Sequence, residues 1–189
     1  MDKRKLRSHI RHTLASVGLE SLAVQSKKAC QNLLGTSQYK DASVVMLFLS
    51  LPFEIETAPI FLDAWQSGKT VAVPKISWQQ RHMIPVEINS LETGLAVGEY
   101  GLRTPATGQP IPQEEIDLII TPGLAFDANG GRLGRGGAYY DTFFASEKTT
   151  AVKLGFCFSQ QLVQEVPMAE LDHPVDMVVT DEKVIEIKK

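Results

Sequence analysis

The chain has 189 residues, 43% of them hydrophobic and 22% charged, which fits one ordinary soluble domain with enough apolar material for a core. A formal net charge of −3 excludes a molecule built to hold polyanions over its whole surface, so any anion site has to be a local cluster of cations. No apolar run approaches the roughly 20 residues that a membrane span needs, and two cysteines without pairing or metal-type spacing, Cys30 and Cys157, fit buried thiols in a reducing cytosol.

In residues 2–17 the apolar positions Leu6, Ile10, Leu14 and Val17 recur at helical spacing and leave Lys3, Arg7 and Arg11 as a basic stripe on another face. The arginine-rich start imitates a mitochondrial presequence. It runs straight into further periodic sequence, however, and is kept in the mature domain. A second amphipathic helix fits residues 19–34, with Leu22, Ser26, Ala29 and Leu33 inward and Gly35 as its stop. The run "SVVMLFLSLP" (43–52) has the length and β-branched content of a strand covered on both faces. Thr57 as N-cap and Pro59 open a helix through Trp65 that Gly68 closes, and "TVAVP" (70–74) is the next strand, so this unit reads as a parallel crossover.

"HMIPVEI" (82–88) is a candidate strand, and "LETGLAVGEYGLRTPATGQPIP" (91–112) reads as one long Gly- and Pro-rich loop. "IDLIITPG" (116–123) is another buried strand, after which Asn129-Gly130 favours a tight reversal. A helix fits residues 137–146, with Tyr140, Phe143 and Phe144 on its inner side. "AVKLGFCF" and "MVVTDEKVIEI" add late strands, the last pair joined at Asp181-Glu182. The expected architecture is α/β: a single three-layer α/β/α domain over residues 1–189 with a mostly parallel central sheet.

Chemistry concentrates in "NGGRLGRGGAYYDTFF" (129–144), which holds five glycines, two arginines, two adjacent tyrosines and an aspartate. A helix starting after a glycine-rich turn offers unpaired backbone N–H groups, and missing Cβ atoms let an anion approach them. Arg132 and Arg135 add planar, multidentate charge suited to phosphate and to charge moving during its transfer. Asp141 is a candidate Mg²⁺ ligand. A glycine-rich hairpin with solvated arginines is the plain alternative, because glycine motifs alone are weak signals. Neither GxGxxG in the dinucleotide sense nor GxxxxGK[ST] is present.

The block "PGLAFDANGGRLGRGGAYYD" (122–141), with "FLSLPFEIET" (48–57), "KRKLR" (3–7) and "VDMVVTDE" (175–182), resembles the 5-formyltetrahydrofolate cyclo-ligase family, also called 5,10-methenyltetrahydrofolate synthetase. The similarity runs over essentially the whole chain in the right order. It implies an α/β/α enzyme that uses ATP and Mg²⁺ to convert 5-formyltetrahydrofolate to 5,10-methenyltetrahydrofolate. It also implies ATP contacts from Lys3, Arg4, Lys5, Leu6 and Arg7, and a phosphate loop of Arg132, Leu133, Gly134, Arg135, Gly136, Gly137, Ala138, Tyr139 and Tyr140, with Arg132 and Arg135 catalytic. Leu49, Glu54, Tyr100, Arg135 and Tyr139 would face the folate, and Asp141 and Asp176 would be metal-associated. The family commonly has Gly where this chain has Ala138, so Ala138 is expected in an ordinary helical conformation at the first turn of its helix.

Of the two tyrosines, periodicity favours Tyr140 as the buried one, leaving Tyr139 toward the ligand. Asp172 beside His173 reads as a turn pair, and His9, His12, His82 and His173 lack metal-ligand spacing. The expected partners are reduced folate and ATP, with no nucleic acid and no membrane, in a cytoplasmic monomer. A noncatalytic folate-binding module and a phosphosugar or coenzyme A enzyme on a similar sheet are the competing classes.

Overall fold

The structure is a computed structural model and describes every residue except 78, 80, 81, 99, 100, 102 and 189. Helix α1 (Lys3–Ala15) is capped by Asp2, whose carboxylate accepts the Lys5 N–H at 2.8 Å, and it buries Leu6, Ile10 and Leu14. Helix α2 (Leu19–Leu34) buries Leu22, Ser26, Ala29 and Leu33 as the periodicity predicts, together with Cys30. Gly35 ends it in a right-handed conformation, and the chain at once re-enters a short helix, α3 (Ser37–Asp41), capped by Thr36. The sequence reading had no counterpart for that helix.

Strand β1 (Val44–Met46) is followed by α4 (Ala58–Gln66) and β2 (Thr70–Ser77), and β1 and β2 pair in parallel as expected. Thr57 precedes α4 but does not cap it. Its hydroxyl donates to the Phe48 carbonyl at 2.9 Å, because the segment leaving β1 offers an acceptor closer than the helix's own amides. Strand β3 (His82–Glu87) returns antiparallel to β2. The predicted long loop contains a two-stranded hairpin, β4 (Leu95–Val97) with β5 (Arg103–Pro105), too short to leave a clear alternation.

Strand β6 (Leu118–Thr121) leads to the two-residue strands β7 (Ala125–Phe126) and β8 (Arg132–Leu133). The reversal between them is a three-residue loop, since the Asp127 N–H donates to the Gly131 carbonyl at 3.1 Å and Gly130 takes the left-handed position at φ 86°. The buried Asp127 carboxylate holds the turn by accepting the N–H groups of Asn129, Gly131 and Val166. Helix α5 (Tyr139–Phe144), strands β9 (Val152–Phe156) and β10 (Met177–Val179), and the antiparallel edge strand β11 (Val184–Glu186) complete the chain.

The seven-stranded sheet runs β11-β10-β9-β6-β1-β2-β3, parallel except at its two edges. Side chains alternate between its faces. Val45, Val71, Leu118 and Ile120 pack into the cluster that includes the inner sides of α1, α2 and α4, whereas Met46, Ala72 and Ile119 face Phe143 and Phe144 of α5. This is the expected three-layer α/β/α arrangement. Burial and the Glu56 charge push the Cys30 thiol up to about 12. Burial, with Asp181, likewise raises Cys157, so both stay protonated.

Ala138 departs from expectation. It precedes α5 at φ 55°, ψ 14°, in the left-handed region and outside the helix, because the chain must reverse sharply between the exposed Gly136 and Gly137 and the docked aromatic helix. A Cβ in that region costs about 1–2 kcal/mol. Ala138→Gly is therefore expected to raise stability by about 1 kcal/mol, after allowing for the entropy of glycine in the unfolded chain. Urea unfolding with an unchanged slope and a higher midpoint would register it; a lower midpoint would contradict the strain.

Candidate active site

The parallel strands β1 and β6 are neighbours, but their connections diverge: β1 continues to α4 on one face of the sheet, and β6 through β7, β8 and α5 toward the other. A crevice must open at their carboxyl ends, the usual ligand position in open α/β sheets. A cleft of about 510 Å³ lies there, lined by Phe48 and Leu49 after β1 and by Pro122 and Gly123 after β6. The glycine-rich loop 134–137 and the hairpin residues Gly98, Arg103 and Thr104 close its sides.

Among the described residues, five basic side chains (Lys3, Arg7, Arg103, Arg132, Arg135) and three acidic ones (Glu54, Asp141, Asp172) line it. A chain of net charge −3 thus carries a local excess of two positive charges in a concave, partly apolar site, where the field is focused. Arg7 joins α1 to the loop, its Nε donating to the Gly134 carbonyl at 2.9 Å. Its guanidinium lies 3.9 Å from where a Cβ on Gly136 would sit, and Gly136 has φ 113°, a conformation side chains rarely adopt. The loop's bare backbone therefore serves both its shape and the approach of Arg7.

The two arginines of the loop occupy different environments. Arg132 is buried, its side chain 3% exposed, and its Nη2 donates to Asp141 Oδ1 at 2.8 Å. Its guanidinium carbon lies 5.5 Å from the Tyr140 ring centroid and 5.8 Å from that of Phe144. Arg135 is 48% exposed and reaches across to Glu54, donating from Nε at 3.1 Å and from Nη2 at 2.5 Å to the same oxygen. The other Glu54 oxygen accepts the Leu51 N–H at 2.9 Å. That bond closes a turn in which Phe53 sits at φ 66°, a strained position for an aromatic residue and one that aims Glu54 at the cleft.

Two buried polar atoms at the cleft have no hydrogen-bond partner, Arg132 Nε and the Tyr140 hydroxyl. Burial raises the Tyr140 pKa against the lowering effect of Arg132, so the hydroxyl remains a proton donor. Orphaned buried donors of this kind call for a ligand or water.

The 5-formyltetrahydrofolate cyclo-ligase family model matches residues 1–181. The chain belongs to that family. It is 30% identical over 190 residues to the 5-formyltetrahydrofolate cyclo-ligase of Mus musculus, covering 95% of this chain and 94% of the relative. It is also 30% identical over 149 residues to that of Escherichia coli K12, covering 77% and 81% of the two chains. The NMR structure of 5,10-methenyltetrahydrofolate synthetase from Aquifex aeolicus superimposes with a TM-score of 0.87 at 28% identity, over 100% of this chain and 94% of that one.

Of the residues that the cyclo-ligase resemblance singles out, the cleft gathers Lys3, Arg7, Leu49, Glu54, Asp141 and all nine from Arg132 to Tyr140. It does not gather the rest of the basic start. Leu6 is a core residue, and Arg4 and Lys5 are exposed outside the cleft lining, because helical rotation turns only every third or fourth residue toward the loop. Asp176 lies in a second hollow with Lys153, whose N–H it accepts at 2.9 Å and whose ammonium is 3.8 Å away. It precedes β10, at the amino end of the parallel strands and therefore opposite the cleft, so the structure does not bring it to Asp141. Tyr100 lies outside the described residues.

Tyr140 has the buried hydroxyl, as its periodicity suggests, and both tyrosine rings line the cleft. Helix α5 is only six residues long, so donors for an anion come from loop N–H groups more than from an extended helix dipole. Sequence reasoning missed Asp172, which also lines the cleft, accepts from Lys3 and accepts the Ala169 N–H at 2.6 Å. The neighbouring His173 N–H donates to Asp141 Oδ1 at 3.2 Å. Nothing in the spacing of "LDHPVD" signals a partner 169 residues away.

Proposed function

We propose that this cleft carries out the ATP-dependent conversion of 5-formyltetrahydrofolate to 5,10-methenyltetrahydrofolate, with ADP and phosphate as the other products. The observation that carries this reading is the junction of the α1 cations with the arginine- and glycine-rich loop in one cleft opposite a carboxylate, Glu54. A formamide oxygen is a poor leaving group, so ring closure requires its prior conversion to a phosphate ester. The formyl oxygen attacks the γ-phosphorus and the bond to the ADP oxygen breaks. The N10 lone pair then bonds to the formyl carbon, the N10 proton is released, and the C–O bond breaks as phosphate departs.

Such a sequence needs positioning and charge stabilisation rather than a covalent nucleophile. Lys3, Arg7 and Arg135, with loop N–H groups, gather the phosphates, and the unpartnered Arg132 Nε and Tyr140 hydroxyl are donors available to ligand oxygens. The Glu54 carboxylate suits the ring N–H and exocyclic amine of the pterin edge. To serve both ligands, Arg135 and Glu54 exchange their mutual ion pair for substrate. The exchange is cheap, since a pair with one half-exposed partner is worth about 0–1 kcal/mol.

For Mg²⁺, Asp141 fits as a single carboxylate ligand beside phosphate oxygens, the usual manner of binding. No group of three or more His, Cys, Asp or Glu side chains among the described residues could hold the ion alone, and Asp176 is not part of this site. Bound there, the ion would neutralise phosphate charge. The deciding measurement is incubation of the protein with 5-formyltetrahydrofolate and MgATP, with the near-ultraviolet absorbance of the methenyl product expected to rise. A folded protein that produces no such signal contradicts the reading.

A further inference from the structure

We propose that Asp172 is a positioning residue for nucleotide binding, holding the Lys3 ammonium over the phosphate end of the cleft. The inference rests on the cleft being the ATP site. Lys3 stands at the first turn of α1, where a lysine side chain is ordinarily mobile and loses about 2 kcal/mol of rotamer freedom when a ligand must order it. Here that freedom is already restricted. Asp172 Oδ2 accepts from the Lys3 ammonium, with the two side chains 19% and 31% exposed.

The carboxylate is itself held. It accepts the Ala169 N–H at 2.6 Å, while the Asp172 N–H donates back to the Ala169 carbonyl at 3.0 Å. Burial works to raise the Asp172 pKa, but the Lys3 and Ala169 hydrogen bonds and the Lys3 and Arg132 charges outweigh it and leave the group below the usual carboxylate range. One residue on, the His173 N–H holds Asp141, the partner of Arg132. The step Asp172-His173 therefore registers α1 through a side chain and the arginine loop through a backbone amide, fixing cations from opposite ends of the chain in one frame.

Asp172→Asn separates positioning from mere support. Its amide oxygen can still accept the Ala169 N–H and preserve the turn, while its NH₂ group, a donor, cannot bind an ammonium. Steady-state kinetics should give an ATP KM raised about tenfold in Asp172→Asn, with the 5-formyltetrahydrofolate KM and kcat within twofold of the parent. Lys3→Met, which leaves the 169–173 turn untouched, should give the same shift. The double variant should be no worse than either single one, and Asp172→Glu should recover part of the affinity.

An unchanged ATP KM in Asp172→Asn, a parallel rise in both KM values, or multiplying losses in the double variant would overturn the proposal. Calorimetric titration with the β,γ-imido analogue of ATP reads the same affinities without turnover. A protein inactive on the folate would thus contradict the proposed reaction and still leave the Lys3–Asp172 contact open to test.

Discussion

Arg132→Met is expected to lower the stability of the fold by about 3–5 kcal/mol, the range for removing one member of a buried ion pair. The effect is large because Arg132 is 3% exposed and its partner Asp141 would be left as an uncompensated charge under the loop. Tyr140 and Phe144 would also lose the cation they flank. Urea unfolding should show a midpoint shift of that size, and turnover should fall with it, since Asp141 and the loop lose their common anchor. A loss below about 1 kcal/mol would mean that the pair is solvated and that Arg132 belongs with the surface cations.

Arg135→Ala is expected to do the opposite, with kcat at saturating substrates falling at least about 100-fold, the loss typical of removing one donor aimed at developing charge. The unfolding midpoint should move by no more than about 0.5 kcal/mol, because the side chain is half-exposed. Lysine should not restore the rate, since a point charge lacks the two-pronged geometry that Arg135 already uses on Glu54. Unchanged turnover would remove Arg135 from phosphate transfer and with it the assignment of residues 132–140 to the phosphate loop. The two arginines are three residues apart and chemically identical, yet burial separates their expected effects into stability and rate.

That distinction could not be read along the chain. Helical periodicity identified the inner faces of α1 and α2 correctly, because the spacing of Leu6, Ile10 and Leu14, and of Leu22, Ser26, Ala29 and Leu33, records burial directly. The apolar runs located the buried strands, although β1 forms ladder pairs over only three residues of the ten in its run. The β4–β5 hairpin was hidden by its glycines and prolines, and the capping role expected of Thr57 failed because the Phe48 carbonyl, nine residues back, competes for its hydroxyl. Ala138 was misjudged because nothing local records that the loop must reverse there through a left-handed residue.

By itself, then, the amino-acid order determined the succession of helices and strands, their inward faces, and the supply of arginines, tyrosines and bare backbone in one short segment. Only the tertiary structure decided which cation meets which carboxylate: Arg135 with Glu54, 81 residues away, and Lys3 with Asp172, 169 residues away. The reason is that periodicity is set by each residue's neighbours along the chain. Such pairings depend instead on strand order and on the divergence of the β1 and β6 connections, which bring remote loops to one end of the sheet.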